Sequence, residues 1–109
     1  MDTADLRDFV EFEEGTALSR EVFASERLAA RVISVDVNRA YGPASDPDAD
    51  AVLVILAGEA VFQVDRRRKR MTQWGSVLVE AGHEVVVTNA SGEPLVLLLV
   101  AAPASPATT

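Results

Sequence analysis

The sequence predicts an all-β domain, a barrel or sandwich of short strands. Three observations predict it. Short runs rich in Val, Ile, Leu and Phe recur from residue 21 onward. Clusters of Gly, Pro, Asp and Asn separate them at about every 8–12 residues, the spacing of strand-turn-strand architectures. No stretch keeps a helical period long enough for a substantial helix.

Taken in order, residues 1–18 read as an N-terminal arm. Leu6, Phe9 and Val10 have helix-like spacing, while Phe9-Val10-Glu11-Phe12 suits an edge strand equally, so a short helix and a strand both stand. Gly15 punctuates the arm. The barrel is expected over 19–102, with strands at Glu21–Ala24 and Arg31–Val37, a loop over Tyr41–Asp50, and strands at Ala51–Leu56 and Ala60–Val64. A charged hairpin, Asp65–Lys69, leads to Trp74-Gly75. Val77–Val79, Val85–Val87 and Leu95–Val100 complete the strands, with turns at Ala81-Gly82 and Asn89–Pro94. Residues 103–109, with Pro103 and Pro106, are expected to be a disordered tail.

Val52–Leu56 and Leu95–Val100 are apolar on both alternating faces, although a strand buried on one side only alternates with polar residues. The inner face fills a barrel. The outer face needs a second sheet or a partner subunit, and a homodimer is the expectation.

The 109 residues fit one domain. A formal charge of −7 argues against a nucleic-acid partner and against anionic membranes. There are no cysteines, hence no disulfide, thiol nucleophile or thiolate metal site. The acidic N-terminus lacks a signal-peptide pattern, so a cytoplasmic location is expected. No Ser-His-Asp order, P-loop, dinucleotide fingerprint or zinc spacing occurs.

The segment Val52–Asp65, followed by Gly75–Gly82 and ending at Asn89, resembles the cupin family in its order of strands and turns. The resemblance covers roughly residues 20 to 101 and implies a double-stranded β-helix, or jelly-roll barrel. Cupins include dioxygenases, isomerases, storage proteins and regulators, so no single function follows. The family's first motif has two His ahead of a Glu, which precedes the turn Gly. Counting back from Gly58 puts the Glu position on Ala51, and the His positions on Ala44 and Asp46, or on Ser45 and Pro47. Counting back from Asn89 puts the second motif's His on Val85, and Glu80 stands where a Pro is usual. Alanine and valine have no lone pair to offer a divalent metal, so no metal and no cofactor are expected.

His83, the only histidine, is a candidate acid, base or lone metal ligand, with a partly exposed turn residue as the simpler account. Asp46, Asp48 and Asp50 resemble the start of a calcium loop, but Ala51 and Ala57 stand where its Gly and Glu belong, which favours Asx turns. Arg66–Arg70 offers a phosphate site or, more simply, a solvated hairpin that resists edge aggregation. Tyr41 and Trp74 are expected in loops near a pocket mouth.

The leading expectation is a metal-free barrel that binds a small apolar or amphipathic molecule. Leu53, Ile55, Phe62, Val85 and Val87 would line it, with Tyr41 and His83 at the rim. A second possibility is a cupin-fold enzyme of isomerase, cyclase or dioxygenase type. It would use His83 with Asp46, Asp48 or Glu84, as acid–base groups or as an unusual metal set. A third is an interaction barrel with a filled interior.

Overall fold

The computed structural model describes residues 1–103, so most of the expected tail lies outside the described residues. A 3-10 turn at Leu6–Phe9 is capped by Asp5, whose side chain accepts from the Arg7 N–H. Of the two readings of the arm, this is the helical one. The strands follow as β1 (Ala17–Ala24), β2 (Ala29–Val35), β3 (Ala40–Ala44), β4 (Asp50–Ala57) and β5 (Ala60–Val64). Then come β6 (Arg67–Met71), β7 (Ser76–Val79), β8 (Val85–Asn89) and β9 (Leu95–Ala102). They form a five-stranded sheet, β1-β2-β9-β4-β7, and a four-stranded sheet, β3-β8-β5-β6. From β4 onward the chain crosses repeatedly between the two, which makes the structure a jelly roll.

The period of two decides what each strand buries. Ile33, Val35, Leu53, Ile55 and Leu97 point from the larger sheet into the core, against Phe62, Val85 and Val87 from the smaller one. Each such side chain contributes about 1.5–3 kcal/mol by leaving water. Gly58 turns β4 into β5 at φ +95°, and a Cβ there would meet the Pro94 carbonyl oxygen at 2.7 Å. Only glycine suits that position.

β1 begins four residues before the expected Glu21, because Ala17 and Leu18 already pair with Val35 and Ser34. Two further elements differ from the sequence expectation. Tyr41–Asp50 is not all loop, because Ala40–Ala44 pairs with β8. The register shifts between Tyr41 and Ala44, and Gly42 and Pro43 occupy that irregularity. Turn-forming residues are tolerated there because β3 is a sheet edge, where Pro costs no ladder bond. The basic run also continues beyond its hairpin. Asp65-Arg66 is the turn, with Asp65 at φ +55°, and Arg67–Met71 pairs with β5 throughout.

The outer face of the larger sheet is covered in part by the chain's own arm. Ser34 and Val32 point outward yet are buried, and the Glu11 N–H donates to Ser34 Oγ at 3.2 Å. Farther along the same face Ala30, Val100, Val52 and Leu78 stand in one row across four strands. There Val52 is 39% and Leu78 59% exposed.

Candidate functional site

β3 and β8 bring Ala44 directly opposite Val85. β4 places Ala51 opposite Val79. Ala44, Ser45, Asp46, Ala51 and Val85 all face one cavity of about 150 Å³ between the sheets. The positions counted from the sequence motifs thus converge, Pro47 excepted. Their side chains are methyl groups, one hydroxyl and one carboxylate. Such a donor set does not fit a three-His-one-Glu cage, and among the described residues no three of His, Cys, Asp and Glu gather as a metal set.

The acidic loop is occupied with holding backbone. Asp46 Oδ1 accepts from the Asp48 N–H at 2.8 Å, an Asx turn, and the Asp46 carbonyl accepts from the Gly82 N–H at 2.8 Å. Asp50 Oδ1 accepts from the Ala81 N–H at 2.8 Å. The Asp50 carboxylate and the Asp46 backbone carbonyl therefore tie this segment to the Ala81-Gly82 turn at the cavity rim, while the Asp46 carboxylate shapes the loop itself.

Of the residues expected to line a pocket, Tyr41, Leu53, His83 and Val85 face this cavity. Ile55 and Val87 are fully buried in the core. Phe62 reaches a separate groove along β6 and β7. Tyr41 lies on β3, and burial pushes its hydroxyl pKa up. Trp74 is 73% exposed at φ +75° in the turn before β7 and faces neither space.

His83 stands between the cavity and the groove and lines both. Its partner is Asp65, with Nδ1 and Oδ2 2.6 Å apart, and the side chains are 51% and 53% exposed. The hydrogen bond and charge of Asp65 raise the imidazole pKa, and the same hydrogen bond lowers that of Asp65. The bond is made possible by β5–β8 pairing, which sets Val64 beside Val85. Sequence reasoning missed Asp65 because only the strand pairing relates it to His83.

No family model matches the sequence. No curated protein matches it by sequence. Solved structures do match. TT1209 from Thermus thermophilus superposes with a TM-score of 0.88 at 26% identity, over 94% of this chain and 98% of that one. An RmlC-like cupin protein from Desulfovibrio desulfuricans gives 0.84 at 17% identity, over 94% and 97%. The cupin domain of Schizosaccharomyces pombe Cnp3 gives 0.82 at 19%, over 94% and 74%. The fold is that of the cupin superfamily. These likenesses carry architecture and not activity. Among the described residues no helix is long and apolar enough to cross a membrane.

Proposed function

We propose that this chain is a metal-free, cytoplasmic cupin domain that binds a compact, mostly apolar molecule in the cavity beside Ala51 and Val85. The observation that carries the reading is the lining itself: the positions where a cage would sit present methyl groups to a space of about 150 Å³. A cavity of about that size holds a benzene-sized molecule, whereas one water needs only about 10–15 Å³ of such space, which weighs against a fully filled interaction barrel. Tyr41, Asp46 and His83 at the rim supply the few polar anchors such pockets use.

Phenol is a suitable probe, since it joins an apolar ring to one hydroxyl. Amide-resolved NMR titration with phenol is expected to shift residues around Ala51 and Val85, and Ala51→Phe to abolish those shifts. Elemental analysis provides a second check. A stoichiometric transition metal lost in His83→Ala would overturn the metal-free reading.

One observation favours a second reading, an enzyme of the fold. The short His83–Asp65 bond resembles an oriented general base. That reading uses Asp65, not Asp46, Asp48 or Glu84, as the partner carboxylate.

The apolar row Ala30–Val100–Val52–Leu78 supports a homodimer. Carrying no charge to select a different partner, the row best matches its own copy across a two-fold axis.

A further inference from the structure

The groove along β6 and β7 is separate from the cavity in its chemistry. Its volume is about 850 Å³, within the range of small-molecule sites. Phe62, Val64 and Val77 form an apolar floor. Above them stands the basic run, which holds five of the chain's ten Lys and Arg residues.

Strand register fixes which cations face inward. Phe62 pairs with Lys69 and Val64 with Arg67, so these two cations share the inner side of the sheet with the buried Phe62. β6 is the edge strand of its sheet, where inward-pointing cations also guard against pairing with another chain. Arg66 and Arg68 add to the rim. Among the described residues only Arg70 of the run is ion-paired, to Glu59 at 3.1 Å. Two carboxylates also line the groove. Asp65 is engaged by His83, and Glu80 is the remaining opposing charge. Four cations thus face one unengaged carboxylate, in a chain whose total charge is −7.

We propose that this groove binds a soluble anionic amphiphile, a small molecule joining one carboxylate, sulfonate or phosphate to an apolar body. The body lies on Phe62, Val64 and Val77, and the anion meets Arg67 and Lys69. A monoanion of this kind is preferred to a nucleic acid or an anionic membrane because the rest of the acidic surface repels an extended polyanion. The site goes beyond the cavity and does not depend on it.

The test is a fluorescence titration of the full chain with anilinonaphthalene sulfonate and with its uncharged relative, N-phenyl-1-naphthylamine. The anionic probe is expected to bind roughly tenfold or more tightly than the neutral one. Its binding is expected to weaken with added salt and to be displaced by dodecanoate below micellar concentration. Arg67→Glu with Lys69→Glu is expected to cost roughly tenfold in probe affinity. Arg67→Gln with Lys69→Gln, a pair that puts no new charge over the apolar floor, is expected to move affinity the same way with an unchanged melting curve. Ala51→Phe, which fills the cavity, and Arg27→Glu, on the β1–β2 turn, are expected to leave it unchanged. Equal affinity for both probes, salt independence, or indifference to both double variants would overturn the proposal. So would binding seen only with phosphatidylserine vesicles or with a single-stranded oligonucleotide.

Discussion

His83 Nδ1 lies 2.6 Å from Oδ2 of Asp65, closing the β5–β6 turn onto the segment that leads into β8. The backbone repeats the link, as the Asp65 N–H donates to the Glu84 carbonyl at 3.1 Å. Because Asp65 raises the imidazole pKa above 6.5, an NMR pH titration is expected to place the His83 midpoint above that value. Asp65→Asn is expected to bring it back toward 6.5.

The same pair sets a pH window for stability. With its folded pKa raised, His83 contributes fully below its unfolded value and loses the contribution as pH rises through the folded one. Asp65, whose pKa is lowered, contributes above 3.8 and loses the contribution as pH falls through its depressed value. The difference in Tm between wild type and Asp65→Asn is therefore expected to be largest between pH 3.8 and 6.5 and to shrink as the pH rises through the raised His83 pKa. Both side chains are half exposed, so the difference is small. A difference that grows with rising pH would contradict the pairing.

Asn89 is the main buried polar clamp. Its Nδ2 donates to the carbonyls of Val35 at 3.2 Å, Asp36 at 3.3 Å and Glu93 at 2.8 Å, while Oδ1 accepts from the Ser91 N–H. One side chain thereby pins the β8–β9 turn to the end of β2. Asn89→Ala removes the donor these carbonyls share, although that of Asp36 still accepts from the Arg39 N–H and that of Glu93 from the Ser91 hydroxyl, and is expected to cost about 1–3 kcal/mol in urea unfolding. Asn89→Asp, which sets a carboxylate oxygen against carbonyl oxygens, is expected to cost at least as much.

The parts of this fold that follow a period of two were legible in the sequence. Leu53, Ile55 and Phe62 alternate inward as the pattern requires, and Gly58 marks its turn. β3 was hidden because Gly42 and Pro43, which permit its irregular pairing at a sheet edge, also read as turn residues. The cover over Val32 and Ser34 was hidden for a different reason. It comes from the arm, whose path over the sheet leaves no periodic trace. Of the site, the convergence of Ala44, Ala51 and Val85 could be counted from motif spacing. The His83–Asp65 pair could not, because it depends on a strand pairing between distant segments. The inward aim of Arg67 and Lys69 was within reach, by counting from Phe62 across the hairpin turn.

Leu78 is the most exposed large side chain in the outer apolar row. If that row joins two copies, Leu78→Glu puts a pair of like charges near the two-fold axis and desolvates both. Analytical ultracentrifugation is expected to show a dimer for the wild type and a monomer for Leu78→Glu, with the melting curve little changed at low protein concentration. A wild-type monomer at every concentration measured would dismiss this interface.

The cavity also predicts a gain of function. Ala44 faces Val85 across the sheet, and Ala51 and Asp46 face the same space. If missing donors are all that separates this barrel from a metal cage, Ala44→His, Ala51→Glu and Val85→His should supply them beside the existing Asp46. Divalent first-row metals prefer such N and O donors, with Ni²⁺ and Cu²⁺ ahead of Mn²⁺. Isothermal titration with Ni²⁺ is expected to show one site in the triple variant, at least about tenfold tighter than any site in the wild type. Metal binding to the folded state is then expected to raise Tm in proportion to the logarithm of free Ni²⁺. A folded triple variant with no added Ni²⁺ affinity would show that the backbone around Ala51 and Val85 has departed from cage geometry, and not merely its side chains.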